Sequence, residues 1–226
     1  MTPEGKGRPF GTVTRTPRTG GRPSRVEAER IGEEILAAAA EMFLAQGYGA
    51  TSIEAIAKRI RISKRTFYSR FKDKAAVFEA VVHGIVGRLR PADMSALFVG
   101  GTVAEILTRI GTLALQAAVT PQAIALQRLV VAEVTKFPEL AAIAAGEGTR
   151  QAAIAALGAL LARELPPLPD DDARFAAEQF LQMIITLPQR RAMGLGPPMT
   201  ADDHRLWVQR TVALFLRGCD RRSHGP

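Results

Sequence analysis

The chain has 226 residues and a net charge of +8, with 47% hydrophobic residues, chiefly Ala and Leu, and 6% aromatic residues. This length accommodates one large domain or two modest ones, and the composition favours helices over sheets. The single cysteine, Cys219, excludes an intrachain disulfide, and no apolar run suits a membrane span or a secretory signal, so we expect a cytoplasmic protein.

The positive charge is concentrated in the first part of the chain. Residues 1–90 contain 17 Lys and Arg against 9 Asp and Glu, whereas residues 91–226 contain 13 of each kind. A basic block joined to a neutral block indicates one part that binds a polyanion and a separate part with another role. A basic surface without any function is the alternative on charge alone.

Residues 1–24 are rich in Gly, Pro, Thr and Arg, and we predict a disordered basic tail because they have little to bury. The Gly-Arg-Pro unit used by minor-groove arms occurs twice in it, although a purely solubilising tail is equally consistent with this composition. From residue 26 to residue 46, apolar side chains recur three and four positions apart, which predicts a helix that ends at Gly47.

Two short helices joined by a three-residue turn are predicted next. The Thr-Ser-Ile-Glu run from Thr51 to Glu54 has the pattern of a capping box and opens a helix to about residue 59. Ser63 caps the following helix, which runs to about residue 70. Such a pair is typical of a helix-turn-helix, whose second helix lies in the major groove of DNA; Phe67 and Phe71 would then face the core.

The remainder of the chain predicts further helices and no strand. Asp73 caps a fourth helix that ends near residue 89, before Pro91. Five more helices are predicted over residues 103–119, 121–135, 138–164, 171–187 and 201–218. We therefore expect an all-α protein of about nine helices, with a helix-turn-helix DNA-binding domain over residues 25–75 and a helical bundle over residues 76–226.

Several short segments between residues 30 and 85 form a recurring family pattern. They are Ile35–Ala39, Gly47-Tyr48, Ala50–Ser52, Ile62–Lys64, Thr66–Tyr68 and Phe71–Lys74. In this combination the segment resembles the TetR family of transcriptional regulators. The resemblance implies that three helices form the DNA-reading head, that the last two helices join a homodimer, and that the C-terminal bundle holds an effector pocket.

The resemblance also implies which side chains contact DNA. Two of them would hold a phosphate at a helix N-terminus, three would face bases or the adjoining backbone, and two would contact phosphates. In that order they are Thr51 and Ser52; Lys64, Arg65 and Thr66; and Tyr68 and Lys74. For Tyr68 the alternative is a core aromatic, and for Lys74 a solvated helix end.

One position departs from the family pattern. The family usually has glycine in the turn where this chain has Arg61. A left-handed backbone there costs a residue with a side chain about 1 kcal/mol, which a packed head tolerates.

The segments 120–133 and 137–140 resemble the AefR-like C-terminal domain of the same family, which implies sensing of a small, hydrophobic compound. Apolar and polar side chains at suitable positions are candidates for lining this ligand site, although plain core packing is the alternative for each. The candidates are Met94, Phe98, Leu113, Gln116, Leu129, Phe137, Phe180 and Met183.

The last two helices carry the stripes expected of a dimer seam between twofold-related subunits. One stripe contains Phe175, Gln179, Met183 and Leu187, and the other contains Leu206, Trp207, Arg210, Leu214 and Arg217.

Together these features predict a regulator that binds a palindromic operator as a dimer and is released by a small hydrophobic effector. The sequence itself does not separate a repressor from an activator, and the family resemblance favours a repressor. One alternative is an architectural DNA-binding protein without a ligand. The other is an enzyme, but His83, His204 and His224 have no metal-ligand spacing, and no phosphate loop or nucleophile elbow is present. We therefore expect no catalytic residues, metal or cofactor.

Overall fold

The computed structural model describes residues 25–87, 95–145, 147–165 and 168–219. The predicted basic tail and Met94 lie outside these residues. Within them the chain forms ten α-helices, one short 3-10 helix and no strand, which confirms the all-α prediction. The helices are α1 (Arg25–Gln46), α2 (Ile53–Arg59), α3 (Lys64–Tyr68), α4 (Lys74–Gly87), α5 (Val103–Ala118), α6 (Pro121–Glu133), α7 (Glu139–Ala145), α8 (Glu147–Glu164), α9 (Asp170–Ala192) and α10 (Ala201–Cys219), with the 3-10 helix Ser95–Phe98 before α5.

The helix starts follow local capping chemistry. At α5 the Thr102 hydroxyl accepts from the Glu105 backbone N–H, and the Glu105 carboxylate accepts in return from the Thr102 N–H, as in a capping box. At α6 the Thr120 hydroxyl caps the helix and Pro121 occupies its first turn, where a missing N–H has no cost. These starts agree with the helices predicted over residues 103–119 and 121–135.

The helix predicted over residues 138–164 falls on two described helices, α7 ending at Ala145 and α8 beginning at Glu147. Residue 146, between them, lies outside the described residues.

The end predicted before Pro188 for the helix over residues 171–187 is wrong, because α9 continues through this proline to Ala192. Proline cannot donate to the carbonyl four residues earlier, which here belongs to Ile184. The indole N–H of Trp207 on α10 donates to that carbonyl at 3.0 Å. A side chain from another helix thus replaces the missing backbone hydrogen bond, and α9 continues past the proline.

Replacing Trp207 with Phe should lower the free energy of unfolding by about 1–3 kcal/mol, because it leaves the Ile184 carbonyl without a donor. In a Pro188→Ala background the same replacement should cost about 1 kcal/mol less, since the substituted alanine supplies a backbone N–H. Urea unfolding of the four proteins measures both values. Equal costs in the two backgrounds would contradict this explanation of the uninterrupted helix.

The buried side chains form two separate hydrophobic clusters. The first, which we call the head core, joins α1–α4 to α6 and α7 and includes Phe43, Tyr48, Phe67 and Phe78. The second, the body core, joins α5 to α8, α9 and α10 and includes Phe180. The head core continues past the predicted boundary at residue 75, since Leu126, Leu129 and Leu140 of the C-terminal half belong to it.

Among the described residues, no single helix has both the length and the apolar composition to cross a membrane; only the α5–α6 pair meets both criteria jointly, and it is bent by 66°.

Candidate DNA interface

The start of α2 differs from the predicted capping box. Ser52 is the N-cap, and its hydroxyl accepts from the Ala55 N–H at 3.1 Å. Thr51 is 1% exposed, and its hydroxyl donates to the Gly47 carbonyl at 2.8 Å. Thr51 therefore stabilises the end of α1, which leaves the hydroxyl one residue later to cap α2.

The turn between α2 and α3 has the predicted left-handed residue. Arg61 has φ of 56°, the one positive φ among the described residues other than glycine. The Ile62 N–H then donates to the Ala57 carbonyl at 3.0 Å, which closes the turn. The next residue, Ser63, caps α3 by accepting from the Thr66 N–H at 3.0 Å, and its hydroxyl lies 2.8 Å from that of Thr66.

One face of α3 is buried and the other is open. Phe67 is fully buried in the head core, which fixes the rotation of the helix. Lys64 and Arg65 are exposed, and Tyr68 is 49% exposed, so the open face presents two cations and a phenol. Thr66 is half-buried.

The Lys64 ammonium lies 2.6 Å from the Glu54 carboxylate of α2. This hydrogen bond lowers the pKa of Glu54 and raises the pKa of Lys64, so both groups stay charged. The surroundings are strongly basic, because residues 58–74 contain eight Lys and Arg and one Asp. An exposed, basic, capped second helix has the geometry and charge to enter a major groove.

Lys74, predicted to contact phosphate, lies against the end of α1. Its ammonium donates to the carbonyls of Tyr48 at 2.8 Å and Thr51 at 3.1 Å, and lies 4.2 Å from the centre of the Tyr48 ring. Burial lowers the pKa of Lys74. Two of its three N–H groups are thus engaged within the protein, which leaves one for a phosphate.

Sequence reasoning missed a carboxylate that holds the head. The two oxygens of Glu133, at the end of α6, accept from the N–H groups of Tyr48 at 2.7 Å and Gly49 at 2.6 Å. A negative charge in the last turn of a helix is unfavourable with respect to the helix dipole. That position was therefore a signal in the sequence that Glu133 has a partner elsewhere.

Tyr48 itself is buried between the head and the C-terminal half. Its ring lies 5.3 Å from Phe78 and 5.1 Å from Phe137, both in edge-on contacts. Burial raises the pKa of Tyr48 to about 12, with a contribution from the charge of Glu139. The hydroxyl therefore keeps its proton and donates toward the Glu139 carboxylate, with 3.5 Å between the two oxygen atoms.

The structure divides the predicted ligand-lining residues between the two cores. Leu129 belongs to the head core, and Phe137 packs against it. Phe180 belongs to the body core, and Phe98 and Met183 pack against it. Leu113 is half-buried and Gln116 is exposed. An open depression between α8 and α9, lined by Gly158, Ala173 and Arg174 among others, contains none of the predicted residues.

The predicted dimer seam contains side chains that a monomer leaves exposed. Phe175 on α9 is 62% exposed, and Leu206 and Leu214 on α10 are 45% and 62% exposed. Met183 and Trp207 pack partly against the body core instead. Of the remaining predicted residues, Gln179, Arg210 and Arg217 are exposed and Leu187 is half-buried.

Within the described part of the chain, no cluster of three or more His, Cys, Asp or Glu side chains is placed to bind a metal ion.

A basic helix-turn-helix at one end of an all-helical chain, followed by a separate helical core, defines a DNA-binding transcriptional regulator. Residues 35–81 match the bacterial regulatory proteins of the tetR family, and residues 105–218 match the C-terminal domain of AefR-like transcriptional repressors. The chain belongs to the TetR family of transcriptional regulators, whose members typically form homodimers.

Solved structures show the same fold. A TetR-family regulator from Mesorhizobium loti is 24% identical, with a TM-score of 0.69 over 86% of this chain and 98% of that one. The flavonoid-responsive regulator FrrA is 29% identical, with a TM-score of 0.67 over 84% of this chain and 97% of its own. GusR of Salmonella enterica is 22% identical, with a TM-score of 0.58 over 83% and 94% of the two chains. A comparison with curated proteins found no match.

Proposed function

We propose that this protein binds a palindromic operator as a homodimer, through α3, and represses transcription until a small hydrophobic effector releases it. The observation that carries the proposal is the open face of α3, where Lys64, Arg65 and Tyr68 are exposed while Phe67 anchors the helix. Lys and Arg read guanine acceptors, and a phenol contacts phosphate. In this proposal the protein regulates transcription by binding DNA and catalyses no reaction. Its location would be the bacterial cytoplasm.

Dimerisation through α9 and α10 is supported by the exposed apolar side chains Phe175, Leu206 and Leu214. Burying them against a twofold-related copy would form a four-helix interface. The twofold axis would then place two copies of α3 about 34–36 Å apart, one turn of DNA, or a multiple of this distance.

The AefR-like match of residues 105–218 supports a small-molecule effector, and the name of FrrA indicates that a similar regulator responds to flavonoids. We place the effector in the half of the protein built on α5 and α8–α10, near Phe98, Phe180 and Met183, because these side chains pack on one core. Ligand sites between helices are mostly apolar with few polar groups. An effector that binds more tightly when the spacing of the two heads does not match the operator would lower operator affinity by about 5- to 150-fold.

The test is selection of binding sites from random duplex DNA by the full chain, with its mass measured in solution. We expect a dimer that selects an inverted repeat and loses affinity steeply as salt rises. Selected duplexes without a common sequence, bound with the same salt dependence, would favour an architectural DNA-binding protein. No binding to any duplex would refute a DNA-binding regulator.

A further inference from the structure

The α1–α2 turn, formed by Gly47, Tyr48 and Gly49, is held from outside the head by the carboxylate of Glu133. Both carboxylate oxygens are used, one on the Tyr48 N–H and one on the Gly49 N–H. The Lys74 ammonium donates to the Tyr48 carbonyl of the same turn. The peptide groups of this turn therefore bind both a negative charge from α6 and a positive charge from α4.

The turn is shaped to receive this carboxylate. Gly47 has φ of +92°, and a Cβ there would overlap the Glu133 Oε1 atom. A Cβ on Gly49 would lie 3.0 Å from Glu133 Oε2 and 3.0 Å from the Phe137 ring. The absence of side chains at the two glycines leaves room for the carboxylate beside the backbone of the turn.

The same helix is anchored at a second place. The Arg128 guanidinium donates to the carbonyl of Met193, the C-cap residue of α9, at 2.9 Å. Cations are favoured at helix C-termini, where carbonyls lack backbone partners. Arg128 and Glu133 are five residues apart, which separates them by about 7.5 Å along α6 and about 140° around it. The middle of α6, at Arg128, thus contacts α9, and its C-terminal end, at Glu133, contacts the head.

We propose that α6 is a strut that sets the orientation of the head relative to α9, and that Glu133 is a positioning residue for operator binding. This inference rests on the proposed function, in which α9 belongs to the dimer interface. A palindrome requires two heads at one spacing and one orientation. A head that has lost its contact with α6 still binds a half-site. The two heads of the dimer, however, are no longer held at the spacing and orientation that a palindrome requires.

The first test compares Glu133→Gln with the wild type on two duplexes, the selected palindrome and a single half-site. The amide keeps one acceptor but turns an N–H donor toward a turn N–H. We expect affinity for the palindrome to fall about tenfold, within the usual range of coupling between sites. Affinity for the half-site should stay within about twofold, and changing the half-site spacing by one base pair should cost less than in the wild type.

Glu79→Gln is the matched control, because it removes the same charge from an exposed side chain of α4 for which the structure shows no polar contact. It should leave both affinities unchanged. If Glu133→Gln loses affinity equally for the palindrome and the half-site, or for neither, the proposal that α6 acts as a strut is wrong.

Two more variants distinguish a strut from local support of the head. Gly49→Ala crowds the Glu133 carboxylate and the Phe137 ring, each 3.0 Å from the added Cβ, without changing any charge. It should reproduce the selective loss in the same direction even if Glu133→Gln does not fold. Arg128→Gln, which removes the contact between the middle of α6 and α9, should do the same. An unchanged palindrome affinity in Arg128→Gln would confine the role of Glu133 to the head and reject the strut.

Amide hydrogen exchange tests the contact without DNA. In Glu133→Gln the Tyr48 and Gly49 amides should exchange about tenfold faster, while those of α10 are unchanged. If the Tyr48 and Gly49 amides exchange at the wild-type rate in Glu133→Gln, this result alone refutes the proposal. If the wild type shows no preference for a palindrome, the proposed function fails, whereas the exchange result still decides whether Glu133 holds the turn.

Discussion

Replacing Lys64 and Arg65 together with Ala should lower the affinity for the selected operator by at least about 100-fold, because the base contacts proposed for them would be lost in both half-sites. The fold should persist. Both side chains are exposed, and the ion pair of Lys64 with Glu54 lies at the surface, where such pairs contribute little. Fluorescence anisotropy with labelled operator measures the loss, and circular dichroism checks the helices.

The control for this prediction is Arg163→Ala. It removes a cation of similar exposure, 65% against 60% for Lys64, that likewise pairs with a neighbouring carboxylate, but from α8. Its operator affinity should equal that of the wild type. A comparable loss in both variants would mean that general positive charge, rather than the open face of α3, carries DNA binding.

Replacing Phe78 with Ala should lower the free energy of unfolding by about 3–5 kcal/mol, the cost of removing a buried aromatic and leaving a cavity. Phe78 is fully buried, and its ring contacts those of Phe43 at 5.5 Å and Tyr48 at 5.3 Å. Since the head core also contains residues of α6 and α7, the loss should reach beyond the helix-turn-helix. Urea unfolding followed by circular dichroism measures it.

Phe78→Leu is the conservative comparison and should cost clearly less, because it refills most of the volume. If Phe78→Ala costs less than about 1 kcal/mol, a typical value for any substitution, the head core is not organised around this ring. A separate early transition confined to the head would show that its packing on α6 and α7 contributes little.

The helix-turn-helix could be predicted from sequence because its signals are local. Ser63 followed by basic residues, and Phe67 four positions before Phe71, specify a capped helix with one buried face. Arg61 has the positive φ expected from the family pattern, which usually has glycine at this position of the turn. Where two hydroxyls compete for one cap, as in Thr51 and Ser52, the choice depends on the neighbouring end of α1.

The predicted ligand site shows the limit of the same approach. Apolar side chains at helical spacing indicate burial but do not say in which core. Leu129 and Phe137 were grouped with Phe180, yet the first two lie with the head and the third with the body. The difference follows from how α6 crosses between the two cores, which no local pattern encodes.

The amino-acid sequence by itself determined the helical class, the capped and basic helix α3 and the family resemblance, because these depend on patterns within single helices and short segments of the chain. Only the tertiary structure decided that α9 passes through Pro188 and that Glu133 holds the head. In the first case Trp207 supplies the missing hydrogen bond from another helix. In the second, two N–H groups of the α1–α2 turn meet a carboxylate some 85 residues away along the chain. Buried polar groups must find partners wherever the packing brings them, and packing is a property of the whole fold.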